Sequence, residues 1–100
     1  MKLREIAHSR TGDKGNTSNI SVIAFDPANY ELLREQVTTD RVKALFTGIV
    51  HGEVTRYELP NIGALNFVLK EALGGGVTRS LALDAHGKSL SSALMDLELS

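Results

Sequence analysis

The sequence predicts a two-layer α/β sandwich of the α+β class, in which helices cover one face of a mixed sheet of about four strands. Three observations lead to this prediction. Strand-like and helical segments follow one another along the chain, no linker or repeat divides it, and its 100 residues suit one domain spanning 1–100. Because strand–helix–strand crossovers are right-handed, both crossover helices should lie on the same face.

The first half of the chain contains two strands and a helix broken in two. Residues 3–8 alternate in polarity, and residues 20–25 are apolar on both faces, as in a central strand. Asp26-Pro27 favours a helix start, because the carboxylate can cap the first turn and proline suits its first position. A second helix is predicted to begin at Thr38 or Thr39 and to turn its apolar side chains to the core: Val42, Leu45, Phe46 and Ile49.

The second half contains a strand over 53–59, closed by Pro60-Asn61, and then a helix over 63–73. In this helix an arc of apolar side chains repeats at the helical period, namely Leu65, Val68, Leu69, Ala72 and Leu73. Phe67 falls opposite that arc, which leaves it either as a buried aromatic or as a subunit contact. Three glycines over 74–76 stop the helix, and a strand over 77–84 follows. A short helix should begin at Ser89 and end at Met95, with residues 96–100 helical or extended.

One face of this sheet is left without helices, although residues 20–25 place apolar groups on both faces. Two coverings are open: a partner, for instance in a homo-oligomer, or the C-terminal segment of the chain itself.

Composition excludes several function classes. Eleven Lys and Arg against 12 Asp and Glu argue against a generally basic nucleic-acid binder, and the lack of cysteine excludes disulfides, thiolate metal sites and cysteine nucleophiles. No apolar run is long enough for a signal peptide or a bilayer span, so a cytoplasmic protein without a membrane partner is expected.

A polar loop over residues 9–19 is the densest chemical feature of the sequence. Two glycines three residues apart can turn backbone N–H groups inward around an anion, and cations and amides surround them. A helix beginning at Asn61 could add its free N–H groups. The candidate ligand-binding residues are therefore Arg10, Gly12, Asp13, Lys14, Gly15, Asn16 and Asn61. The alternative is a hairpin loop whose glycines, aspartate and asparagines serve turn geometry alone.

Other sites are disfavoured by spacing. The histidines, His8, His51 and His86, do not pair at helical spacing, so no metal site is expected. The Gly-x-x-Gly of the polar loop leads into a strand, unlike a phosphate-binding or dinucleotide-binding loop, so no cofactor is expected. The sequence also lacks the Gly-x-Ser-x-Gly elbow of serine hydrolases.

Four motifs in order span nearly the whole chain: Leu3-x-x-Ile6-Ala7-x-Ser9-Arg10-x-Gly12-Asp13-Lys14-Gly15-Asn16, Leu59-Pro60-Asn61-x-x-Ala64-Leu65-Asn66-Phe67-Val68-Leu69, Leu73-Gly74-Gly75-Gly76-Val77 and Ser80-Leu81-x-Leu83-Asp84-x-x-Gly87-Lys88. They resemble the C-terminal domain of the AtuA family, named for acyclic terpene utilisation in bacteria. The resemblance implies a ferredoxin-like sandwich and a link to terpenoid or branched acyl-group catabolism. It also implies that longer members carry a large N-terminal domain, which is expected to be absent from this chain.

Three functions are consistent with these observations, and whether the chain is an enzyme stays open. It is an enzyme subunit that binds an anionic ligand such as an acyl-CoA or a terpenoid acid, an interaction module that completes a separate AtuA-like large subunit, or a homodimeric structural domain. The resemblance assigns no catalytic residue to this chain.

Overall fold

The computed structural model describes residues 1–14, 17–47, 50, 52–71 and 88–99, with the backbone alone at positions 13, 14, 88 and 89. These residues form one four-stranded sheet in the order β1-β2-β4-β3. The strands are β1 (Ala7–Lys14), β2 (Thr17–Ala24), β3 (Val54–Leu59) and β4 (Ala64–Leu69). The α-helices of the described residues are α1 (Tyr30–Gln36), α2 (Thr39–Leu45) and α3 (Lys88–Met95).

β1 and β2 form a long hairpin that replaces most of the predicted loop. The two strands pair from Ala7 opposite Ala24 to Lys14 opposite Thr17. The prediction of a strand over 3–8 is wrong at its start, because Leu3–Glu5 is a 3-10 helix and β1 begins four residues later than predicted. The polar residues of β1, among them Ser9 and Thr11, suit an edge strand with one face in solvent. Because few of them are apolar, the alternation of apolar and polar residues that predicts a strand is weak here.

Both predicted helix starts after β2 are confirmed. The Asp26 carboxylate accepts from the Ala28 N–H at 3.0 Å and caps a 3-10 turn, Pro27–Asn29, that leads into α1. The Thr38 hydroxyl accepts from the Arg41 N–H at 3.2 Å, and α2 begins at the next residue. Of the side chains predicted to face the core, Val42 and Phe46 are buried, Leu45 is 39% exposed, and Ile49 lies outside the described residues.

The helix predicted over 63–73 is wrong where the structure describes it, because residues 64–69 form strand β4. Leu65, Phe67 and Leu69 are fully buried and alternate with the half-buried Asn66 and Val68. This period of two explains Phe67, which no helical arc could place in the core.

Two of the remaining predictions, the glycines over 74–76 and the strand over 77–84, lie outside the described residues. The short C-terminal helix is confirmed as α3. Beyond it, Glu98 forms an isolated antiparallel bridge with Lys2, which agrees with the extended alternative for the tail. The three described strand pairs are all antiparallel, so the described residues contain no parallel pair of the predicted mixed sheet.

The described helices all lie on one face of the sheet, as predicted. Ile20 and Val22 of β2 belong to the same buried cluster as Leu33 of α1, Val42 of α2 and Leu94 of α3. The Ser9 hydroxyl shares a hydrogen bond with that of Ser91 on α3, so residues 88–99 lie on this face and do not cover the other one. Between β2 and β3 the chain crosses over through α1 and α2, and β4 inserts between those two strands as in the split βαβ unit of ferredoxin-like folds.

Candidate functional site

The face of the sheet opposite the described helices, called the open face below, carries two of the predicted site residues together with exposed polar and aromatic side chains. Cross-strand partners point to the same face, and Val22 pairs with Leu65 inside the core, so the neighbouring positions face the other way. One row of the open face crosses all four strands: Arg10, Ser21, Asn66 and Tyr57. The other paired positions of this face whose side chains are described are His8, Gly12, Thr17, Asn19, Ile23, Thr55, Leu59, Ala64 and Val68, and Phe25 follows β2 on the same side and stacks on His8.

Two predicted site residues, Arg10 and Gly12, lie on the open face within β1. Arg10 is exposed opposite Ser21 and makes no hydrogen bond or ion pair with any described residue. Gly12 pairs with Asn19, and among the described glycines only Gly63 has a positive φ. An anion nest needs a left-handed residue in the loop, so Gly12 does not form one.

The other residues of the predicted loop are less fully described. Asp13 and Lys14 are the last two residues of β1, and their side chains lie outside the described part of the structure. Gly15 and Asn16 lie outside it altogether. Their proposed roles in binding an anion stay predictions.

Asn61 lies at the other end of the sheet. It belongs to a 3-10 turn, Pro60–Ile62, and does not cap an α-helix. The carbonyl of the following Gly63 accepts from the Ala24 N–H at 2.9 Å, at the end of β2 remote from Thr17. Seven steps along β2 at about 3.3 Å each make roughly 23 Å. The structure therefore does not bring Asn61 together with the predicted anion loop, and one small ligand cannot contact both.

An amide cluster at the centre of the open face was missed by the sequence analysis. The Asn66 side-chain NH₂ donates to the Asn19 side-chain oxygen at 2.6 Å and to the Ser21 hydroxyl at 2.8 Å. These bonds hold the three side chains in place and leave the Asn66 oxygen and the Asn19 NH₂ with no partner among the described residues. The cluster can therefore accept and donate further hydrogen bonds at fixed positions.

An aromatic pair lies at the edge of the open face. The rings of His8 and Phe25 stack with centroids 5.3 Å apart and planes 19° apart, and Phe25 is 63% exposed. His51 and His86 lie outside the described residues. Within the described part of the chain, no three histidine, aspartate or glutamate side chains come together as a metal site would require.

A cleft of about 560 Å³ lies on the other side of β3, between this strand and α2. Its walls carry charges of both signs, from Asp40 and Lys43 on the helix and from Glu53, Arg56 and Glu58 on the strand side. Its mixed charges and open shape do not suit a single small anion.

Two side chains of α1, Tyr30 and Arg34, have shifted pKa values. Burial raises the pKa of the Tyr30 phenol, and the negative charge of Glu58 acts in the same direction. A hydrogen bond to Glu31 raises the pKa of the exposed Arg34. Neither group lies on the open face.

The comparisons with known proteins identify one family. A family model described as the AtuA ferredoxin-like domain matches residues 1–100, in agreement with the strand order and the split βαβ unit. No curated protein and no solved structure matches the chain significantly. In the described residues, no helix has the length and apolar character needed to cross a membrane.

Proposed function

We propose that this chain, which belongs to the family of AtuA ferredoxin-like domains, is an accessory domain that docks the open face of its sheet onto a larger AtuA-type domain or subunit. The observation that carries this proposal is the difference between the two faces. One face is buried under α1, α2 and α3, whereas the other carries two exposed aromatic rings, Phe25 at 63% and Tyr57 at 54%.

The polar groups of the open face also suit a protein partner. Arg10 is an exposed cation without an ion pair among the described residues, and tyrosine and arginine are the residue types that contribute most to protein interfaces. The amide cluster around Asn66 is held in place before binding, so ordering these side chains adds little entropic cost on association.

The partner is inferred from the family. The resemblance described above implies that longer members carry a large N-terminal domain beside this one. In this proposal the larger domain holds the terpenoid or acyl substrate, and the ferredoxin-like domain completes or stabilises it without supplying a catalytic group.

The test is the affinity of the purified chain for a larger AtuA-type protein from the same source, measured by titration calorimetry. Arg10→Glu and Phe25→Ala should each weaken binding at least about thirtyfold, the loss expected at an interface hot spot. The matched controls are Lys43→Glu and Leu45→Ala, which make the same kinds of change at exposed positions of α2. Equal effects of the open-face variants and their controls would reject the proposal, as would the absence of binding by the wild type.

A second candidate function is the binding of an anionic ligand. Two residues of the open face, Arg10 and Asn19, favour it, whereas the sequence suggested a larger set of ligand-binding residues. Both are exposed on adjacent strands, and the Asn19 NH₂, whose partner oxygen accepts from Asn66, makes no hydrogen bond with a described residue. Arg10→Ala and Lys14→Ala should each weaken the binding of an acyl-CoA about tenfold or more, since hydrogen bonds to charged groups contribute about 1.5 to 3 kcal/mol. Unchanged affinity in both variants would eliminate this function.

A further inference from the structure

The outer edge of β3 has backbone groups that no described residue satisfies. The Lys70 N–H donates to the Glu53 carbonyl at 3.0 Å, which places the β3–β4 hydrogen bonds on the odd-numbered residues of β3. The alternate residues Val54, Arg56 and Glu58 therefore turn their N–H and carbonyl groups away from β4. β3 is the last strand in the sheet order, so no described strand pairs with this edge.

The helix layer leaves this edge accessible. The cleft of about 560 Å³ described above runs along the edge, with α2 as its far wall. Tyr57 and Leu59, on the opposite face of β3, are 54% and 39% exposed. An accessible strand edge that pairs with no described residue is a template for pairing with another strand.

We infer that β3 pairs with the β3 strand of a second copy of this chain, antiparallel and around a two-fold axis at Tyr57. The two four-stranded sheets then form one continuous sheet. The two outward-facing hydrogen-bonded pairs, Arg56 opposite Glu58 of the second copy and Glu58 opposite its Arg56, each exchange two backbone hydrogen bonds.

The choice of a second copy follows from the self-complementary side chains of β3. With the axis at Tyr57, each Arg56 lies opposite a Glu58, the two tyrosine rings face each other, and Thr55 lies opposite Leu59. An axis at Arg56 or at Glu58 would instead oppose like charges, and an axis at Thr55 would leave Arg56 opposite Val54. Only the Tyr57 register brings together two opposite-charge pairs and an aromatic pair.

The internal contacts of Arg56 agree with this arrangement. Its guanidinium lies 3.1 Å from Glu58 of its own strand and donates to two carbonyls of the α1 end, so its position is fixed before association. In the dimer the two strands bring together two cations and two carboxylates of alternating sign. This interface shares Tyr57 with the open face but does not involve Arg10 or Phe25, whose variants test open-face docking, so the two experiments can fail separately.

Cysteine cross-linking tests both the association and its register, because the natural chain contains no cysteine. Directly opposed residues that are not hydrogen-bonded to each other have Cα atoms about 4.5 Å apart, within the range that a disulfide bridges. Tyr57→Cys should therefore give a covalent dimer under mild oxidation. Thr55→Cys is the matched control, because its two thiols would be displaced by roughly 13 Å along the strands.

Each outcome decides the inference. An equimolar mixture of Thr55→Cys and Leu59→Cys chains should cross-link, whereas neither variant should do so alone. Cross-linking of Thr55→Cys alone would show a different register and contradict the two-fold at Tyr57. If none of these variants cross-links at concentrations where the wild type is dimeric, the edge of β3 is not the interface.

Sedimentation equilibrium supplies a second measurement that needs no oxidation. Glu58→Pro removes an outward N–H, and an outward-facing edge position tolerates proline. Compared with Glu58→Ala, which removes the same charge, it should raise the dimer dissociation constant at least about tenfold. A wild-type chain that is monomeric at all concentrations, or equal dissociation constants for the two variants, would overturn the inference. If β3 instead pairs with a strand of a different protein, the wild-type chain should be monomeric. Glu58→Pro should then weaken binding to that protein more than Glu58→Ala does.

Discussion

The guanidinium of Arg56 donates to the main-chain carbonyl of Val37 at 2.9 Å, and the same nitrogen donates to the Arg34 carbonyl at 2.8 Å. These carbonyls lie at the C-terminal end of α1, where helix carbonyls lack partners within the helix and a cation offsets the helix dipole. Arg56 thus links the edge strand β3 to the C-terminal end of α1 by hydrogen bonds on the core side of the sheet.

Arg56→Met should lower the free energy of unfolding by about 1.5 to 3 kcal/mol, the usual contribution of hydrogen bonds to a charged group. Arg34→Met is the control, since Arg34 is exposed and its pairing with Glu31 lies on the surface, and it should lower the free energy of unfolding clearly less than Arg56→Met does. Urea unfolding at low protein concentration measures both. Equal losses in the two variants would contradict the anchoring role of Arg56.

Tyr30→Phe should leave stability at neutral pH unchanged or raise it by about 1 kcal/mol. The Tyr30 hydroxyl is buried and has no hydrogen-bond partner among the described residues, so its loss removes an unsatisfied polar group. Chemical unfolding of both proteins at pH 7 measures the difference, and a clear loss of stability in Tyr30→Phe would show that the hydroxyl has a partner.

The same variant should change the alkaline limb of the stability curve. Burial raises the pKa of Tyr30 above 10.0, so above that pH the folded chain keeps a proton that the unfolded chain has lost. The unfolded state then binds fewer protons, and the free energy of unfolding falls as pH rises. In Tyr30→Phe this contribution is absent, so its stability should fall less steeply above about pH 10. Parallel curves would contradict the raised pKa.

Phe67→Ala should destabilise the fold by about 3 to 5 kcal/mol, because a fully buried aromatic leaves a cavity between β4 and the helices. Ile62→Ala, at a position that is 62% exposed, should change stability by no more than about 0.5 kcal/mol. Thermal or urea unfolding distinguishes the two. A small effect at Phe67 would contradict the assignment of residues 64–69 to an inward-facing strand.

Gly12→Ala should keep or raise stability, by up to about 1 kcal/mol, because no heavy atom lies within 4 Å of the added methyl group and the backbone is extended. Gly63→Ala should cost about 1 to 2 kcal/mol, because Gly63 has a φ of 65°, where a side chain is strained. Unfolding of the two variants tests the conformation assigned to Gly12. A loss at Gly12 as large as at Gly63 would restore the idea of a special loop conformation there.

The sequence predicted the elements that local chemistry specifies. Asp26 and Thr38 were identified as caps because a side-chain oxygen before a helix start is a local signal. Residues 64–69 were assigned to the wrong element because Leu65, Val68 and Leu69 also match a helical arc, and the one inconsistent residue was Phe67. Burial of Phe67 requires the period of a strand.

The site was harder to predict than the fold because it depends on strand register. Asn19 and Asn66 are 47 residues apart in the sequence and meet only because β4 pairs with β2. Asn61 was grouped with the polar loop on the assumption of a following helix, and the register places it at the opposite end of the sheet. Neither relationship is visible in composition or in local periodicity.

The most direct test of open-face docking is hydroxyl-radical footprinting of the chain, free and bound to a larger AtuA-type protein. His8 and Phe25, which stack on the open face, should lose most of their reactivity in the complex, whereas Leu45 on α2 should keep it. Protection of Leu45 with unchanged reactivity of His8 and Phe25 would place the partner on the helix layer and contradict the proposed function.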